Sequence, residues 1–224
     1  MPKNRRIFFI FIAILIIVVF ILLFYFLRQK SRQNTNGAIV SSPSPTTTIT
    51  PTVTPTATNQ SGQFTYPINE FTTRITKKLF GIYITPQNSP IQPERFTGYH
   101  TGVDIEYQDV TTDVPVYAFT DGEVVASQTV LGYGGVFIIK FTWNGKEHTA
   151  LYGHIRPSSL PALGHVNKRD KIAVLGTGYG SETDGERRHL HFAILSDARI
   201  DYRGYAQTQS ELSSWIDPLT LYNP

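Results

Sequence analysis

The chain opens with one long apolar run, passes through a stretch with almost no large apolar residue, and ends in a region where short apolar runs alternate with turn residues. Ile7 to Leu27 is an uninterrupted run of 21 uncharged residues, nearly all Ile, Leu, Val and Phe. At about 1.5 Å per residue a helix of that length spans roughly 30 Å, the thickness of a bilayer core. A cleavable signal would carry a shorter apolar core followed by small residues; here Arg28, Lys30 and Arg32 follow instead. The pattern predicts an uncleaved single-pass anchor over residues 1–32, with its span at 7–27. Lys3, Arg5 and Arg6 balance the three basic residues after the span, so the charge count leaves orientation open. A short N-terminal stub stays inside easily and long downstream domains cross largely regardless of charge, which favours an extracytoplasmic C-terminal part at the cell membrane.

From Ser41 to Thr58, eight Thr, four Pro and three Ser fill 15 of 18 positions. Such a stretch cannot bury enough apolar surface to fold, and its prolines stiffen it toward polyproline II. Residues 33–64 therefore read as a disordered Thr/Pro/Ser-rich stalk, and its roughly 30 residues from Gln33 to Ser61 could hold a domain up to about 90 Å from the membrane at about 3.1 Å per residue.

From residue 65 to residue 224 the pattern is that of strands. Phe80–Thr85, Gly122–Ser127 and Gly135–Thr142 are short β-branched and aromatic runs bounded by Gly, Pro or Asp. Asn144-Gly145 between two such runs predicts a hairpin, because a type I′ turn needs positive φ twice. No stretch after residue 65 carries a helical period beyond about two turns. The fold class expected is mainly β. Residues 65–78 either pack on this domain or continue the tether.

Composition narrows the chemistry. The 224 residues contain no Cys, which excludes disulfide scaffolds, Cys-ligated zinc, iron–sulfur clusters and thiol nucleophiles. Six of the 20 Lys+Arg lie in residues 1–32 with no acid beside them, leaving 14 basic against 17 acidic residues beyond. The soluble part therefore has no excess positive charge for nucleic acid.

The six His are the remaining signal. In the strand-like run His189-Leu-His-Phe-Ala-Ile-Leu195, side chains two apart share a face, so His189 and His191 project together while Leu190, Phe192 and Ile194 face the core. His100-Thr-Gly-Val-Asp104 offers an imidazole and a carboxylate four residues apart. Tyr152-Gly-His154 ends the strand that begins near Lys146. His100, Asp104 and one of the His189/His191 pair would supply two nitrogens and one oxygen, leaving a position for water, the make-up of a catalytic zinc site. Two His and a carboxylate also hold Fe(II) in oxygenases, but the two spare His suit hydrolysis and hence zinc. His148 and His165 read as structural or surface residues.

At these residues the sequence resembles the lysostaphin/LytM-type zinc metallopeptidases that cut peptide cross-links of bacterial peptidoglycan. The order H-x-x-x-D, then Y-x-H, then H-x-H is matched by His100…Asp104, Tyr152-Gly-His154 and His189-Leu-His191. Val114–Ala118, Thr120–Val125, Gly132-Tyr-Gly-Gly135, Gly164-His-Val, Lys171–Gly176 and Trp215-Ile-Asp-Pro218 fall in the same order, so the resemblance covers roughly residues 80–218. It implies a compact antiparallel β domain (a duplicated hybrid motif), with Zn²⁺ held by His100, Asp104 and His191. His154 and His189 would be the catalytic pair acting on a zinc-activated water. Two departures stand out. The loop 177–188 is a few residues longer than usual, and Arg188 stands where a Pro is common before H-x-H; both bear on the cross-link type.

Three other readings compete. A catalytically silent, wall-binding regulator of other hydrolases should lack at least one of the five residues, and this chain has all five. A lipoyl carrier with Lys171 modified leaves those five positions unexplained. A stalked adhesion module does not need the spare His.

Overall fold

The computed structural model of the chain describes residues 62–222. The span expected at 7–27 and nearly all of the stalk lie outside the described residues. Among those described, no helix is long and apolar enough to cross a membrane.

The fold is antiparallel β throughout. Among the described residues twelve strands appear in chain order: β1 Tyr83–Ile84, β2 Gly98–His100, β3 Gly102–Glu106, β4 Pro115–Tyr117, β5 Gly122–Val130, β6 Gly134–Trp143, β7 Lys146–Ile155, β8 Gly164–Val166, β9 Lys171–Val174, β10 His189–Leu195, β11 Tyr205–Ala206 and β12 Trp215–Ile216. The main sheet runs β12-β10-β7-β6-β5-β8, with β3 also paired to β10; β1-β2-β11 and β4-β9 form two small sheets. The only α-helix among the described residues, α1 Gln209–Leu212, is one turn capped by Thr208, whose side chain accepts from Glu211 N.

Apolar periodicity explains the layering. On β10, Leu190, Phe192 and Ile194 are fully buried on one face, against Val103, Ile105, Phe71 and Phe119 in the larger core. Ala193 and Leu195 face a second, smaller core with Val136, Ile138, Leu151 and Trp215. Both faces of the central strands are covered, which is why β6 reads as a near-continuous apolar run rather than an alternation. Asn144 and Gly145 have φ of 52° and 72°, the two positive values a type I′ turn requires, and Trp143 pairs with Lys146 across it.

The segment before β1 belongs to the domain. Ile68 and Phe71 are each 1% exposed, and Phe64 stacks on Phe119 with ring centroids 5.5 Å apart. Its backbone hydrogen-bonds along β3, where Asp104 N donates to Lys78 O and Glu106 N to Arg74 O. Of the two possibilities for residues 65–78, packing holds.

Candidate active site

The β3–β10 pairing builds one side of the site. Asp104 lies directly across from His191 and Glu106 from His189, so alternation puts all four side chains on one face. Gly102 permits this approach: a Cβ there would sit 2.3 Å from the Phe192 carbonyl oxygen. The Gly inside His100-Thr-Gly-Val-Asp104 is thus a packing requirement that sets β3 against β10. His100 ends β2 and reaches the same point from the neighbouring sheet.

His100, Asp104 and His191 are brought together, all buried, with one ligand atom from each within 4.8 Å of the others. His100 Nε2 is 3.1 Å from His191 Nδ1 and 3.1 Å from Asp104 Oδ1, and His191 Nδ1 is 3.0 Å from that same oxygen. His100 Nδ1 lies 3.0 Å from the Leu79 carbonyl, so Nδ1 carries a hydrogen and Nε2 is the ring atom aimed inward. Three acceptor-type atoms then meet in a dry corner where a single shared proton cannot satisfy all three contacts. A cation at their centre does. Two imidazole nitrogens and one carboxylate oxygen are a zinc-type donor set, so the residues fit that metal.

His154 arrives by a different device. Strand alternation from core-facing Tyr152 would send His154 back into the core. Instead β7 bulges: Val136 pairs with Gly153 and Gly135 with Ile155, leaving His154 as the extra residue, at φ 62°. The bulge turns its ring into the pocket, 4.1 Å from the ring of His189 between centroids. Both rings are set by backbone carbonyls: His154 Nδ1 is 3.0 Å from Tyr133 O and His189 Nδ1 is 2.9 Å from Arg187 O. Each therefore presents an Nε2 lone pair. Burial pulls the His154 imidazole down to about 3, and burial together with Arg187 holds His189 well below its ordinary value, so both are neutral bases at pH 7.

Asp104 keeps its charge. Burial acts to raise its carboxyl, but His100, His189 and Arg187 around it hold it well below the usual carboxylate range. The five residues open onto a pocket of about 270 Å³, also lined by Phe96, Leu131, Tyr133, Glu186, Arg187, Tyr202 and Tyr205. The long loop ends in this wall through Glu186 and Arg187, and Arg95 bonds across to it, 2.7 Å from Glu186 Oε1 and 2.9 Å from the Asp184 carbonyl.

Four residues at or behind the site were not assigned a role from the sequence. Arg187 is buried among acids, while its neighbour Arg188 turns the other way and donates to the backbone carbonyls of Gly176, Val110 and Thr112. Tyr133, inside the Gly-Tyr-Gly-Gly run, packs between His154 and His191, and its buried hydroxyl has no hydrogen-bond partner among the described residues. Lys78 and Glu94 form a buried pair, 2.5 Å apart, behind Tyr205. Neither remaining His enters the site: His148 packs against Phe141 and Trp143, and His165 is exposed beside Asn167.

Residues 98–202 match the family model described as Peptidase family M23. No curated protein matches the chain by sequence. Among solved structures, LytU is 26% identical, with 65% of this chain and 81% of that one covered and a TM-score of 0.42. The antimicrobial peptidase lysostaphin from Staphylococcus simulans is 20% identical, with 67% and 50% covered and a TM-score of 0.42, so this chain spans about half of it. A structure of the SpoIIIAH and SpoIIQ complex is 18% identical, with 66% and 97% covered and a TM-score of 0.41.

Proposed function

Since residues 98–202 belong to peptidase family M23, we propose that the protein is a zinc metalloendopeptidase that hydrolyses peptide cross-links of bacterial peptidoglycan. In this reading an N-terminal helix holds it at the cell membrane, with the domain extracytoplasmic on its Thr/Pro-rich stalk. The observation that carries the activity is the division of five buried side chains into two sets. His100 Nε2, Asp104 Oδ1 and His191 Nδ1 converge on one point, while the Nε2 lone pairs of His154 and His189 face the same pocket with their Nδ1 hydrogens already spent on carbonyls.

His100, Asp104 and His191 would hold the metal. Zinc, when bound, supplies Lewis acidity toward a carbonyl oxygen and lowers the pKa of a water it binds. His189 and His154 are neutral and oriented, so either can take a proton from the attacking water. The resulting imidazolium is stabilised by the Asp104 carboxylate, whose Oδ2 is 3.4 Å from His189 Nε2, and can return the proton to the leaving amine. Tyr133, Tyr202, Tyr205 and Phe96 line the pocket and would shield the reacting bond from water. A purely wall-binding regulator would have no use for two oriented bases beside a donor triad.

The test is digestion of isolated peptidoglycan by the zinc-loaded protein, with the released fragments read by mass spectrometry and His189→Ala alongside. New amino termini without new reducing sugar ends, absent from the control, are expected. No release from any wall type by zinc-loaded protein would reject the reading.

A further inference from the structure

Asp104 offers only one of its two oxygens to the converging donors, and the other is held elsewhere. Arg187 Nη2 is 2.7 Å from Asp104 Oδ2, and its side chain is 1% exposed. The same guanidinium grips Glu106 through Nη2 at 2.7 Å and through Nε at 3.0 Å to both carboxylate oxygens. Asp104 and Glu106 lie two apart on β3, so their side chains rise from the same face and the planar fork spans both. The backbone of Arg187 acts as well, because its carbonyl receives the His189 Nδ1 hydrogen.

We propose that Arg187 is a positioning residue of the metal centre: held by Glu106, its guanidinium occupies Asp104 Oδ2 so that the carboxylate binds zinc through Oδ1 alone, while its carbonyl sets the His189 tautomer. The proposal rests on the zinc reading above. A carboxylate free to rotate can bind a cation through both oxygens, which raises the coordination number and suits larger, harder ions with oxygen-rich shells. Fixing Oδ2 at 2.7 Å removes that option and leaves the two-nitrogen, one-oxygen set that zinc prefers. Groups that orient a metal's ligands in this way typically change affinity by about 10–100-fold when altered. Glu106 is the brace. Without it the guanidinium is free to swing away, and the buried cation faces Asp104 alone.

Arg187→Lys keeps the charge but replaces a rigid fork with a point donor that cannot hold both carboxylates in the same geometry. Glu106→Gln keeps the shape and weakens the brace. Both are measured by zinc competition against a chelator and by the ligand-field bands of the Co²⁺-substituted protein, with circular dichroism to establish the native fold. The wild type is expected to bind one zinc. Arg187→Lys should weaken it by about tenfold or more, and the Co²⁺ bands should lose intensity as a second Asp104 oxygen enters. Glu106→Gln should move both readouts the same way and carries the test alone if Arg187→Lys does not fold. Wild-type-like zinc affinity, within twofold, and unchanged Co²⁺ bands in a folded variant would overturn the proposal while leaving the zinc reading intact. Absence of zinc binding by the wild type would overturn both.

Discussion

The backbone at His154 makes a prediction that runs against the usual order of substitutions. His154 is 4% exposed at φ 62°, where a Cβ approaches the following carbonyl and costs about 1–2 kcal/mol. His154→Ala and His154→Gly both delete the imidazole, its contact with His189 and its hydrogen bond to Tyr133 O, so those losses cancel when the two variants are compared. In an ordinary strand Gly is the worse residue by roughly 0.5–1 kcal/mol. Here Ala keeps the strained Cβ and Gly does not, so the glycine variant should be more stable by about 0.5–1 kcal/mol after the entropy of Gly is subtracted. For a domain of this size that is about 1–4 °C in melting temperature. Equilibrium denaturation of both proteins at pH 7, with zinc kept constant, reads the difference. Both should lack hydrolytic activity. An alanine variant as stable as the glycine variant, or more so, would refute the idea that the bulge holds His154 against its own backbone preference.

His189→Ala should retain zinc and lose hydrolysis, whereas Asp104→Ala should lose the metal; elemental analysis beside the wall-digestion assay separates them, and equal zinc loss in both would end the division of roles. Because the folded-state pKa of His154 is depressed to about 3 from 6.5, the unfolded chain binds the extra proton first, so stability present above pH 6.5 is lost as pH falls toward 3. From pH 7 to pH 5 this group alone should remove about 2 kcal/mol, a slope that His154→Gly should flatten. Gly134→Ala should disturb the long loop, since a Cβ there would lie 2.0 Å from the Glu182 carbonyl at φ 76°; a loss of about 2 kcal/mol or more in denaturant unfolding is expected. Arg95→Ala should change KM on cross-linked peptides while leaving zinc affinity and stability nearly unaltered, as an ion pair half exposed on the Arg side is worth at most about 1 kcal/mol; a lost metal would contradict this.

Sequence pattern carried some of this site and not the rest, for physical reasons. His189 and His191 were legible because strand alternation is local: two residues of spacing fix a shared face whatever the partner strand. His100 and Asp104 were legible as a motif, but the reason for the Gly between them emerges only once Gly102 is seen against Phe192. Alternation misplaces His154, since it follows core-facing Tyr152 by two; what turns it is a register shift against Gly135 and Val136 on another strand. Arg187 was hidden for a similar reason. Its partners lie 83 and 81 residues away in sequence, and a basic residue before a strand looks like surface until the opposite strand is known to bring two acids beneath it.

The same contrast separates what this site fixes from what it leaves adjustable. The corner made by His100, Asp104, His191 and Arg187 is buried, and its Asp104–Arg187 pair has no water to fall back on, so moving either of those two leaves an unpaired buried charge. The wall facing it is built otherwise. Arg95, half exposed, bridges to Glu186 and the Asp184 carbonyl, while Asp184 Oδ2 accepts from Gly132 N at 2.8 Å at the tip between β5 and β6. Leu131 beside it is 90% exposed. Exposed bonds of this kind rearrange at little cost, so the wall can change its length and lining without disturbing the donors. In the proposed reading the chemistry resides in the buried corner, and the choice of cross-link belongs to the loop 177–188 together with Arg95 and Leu131.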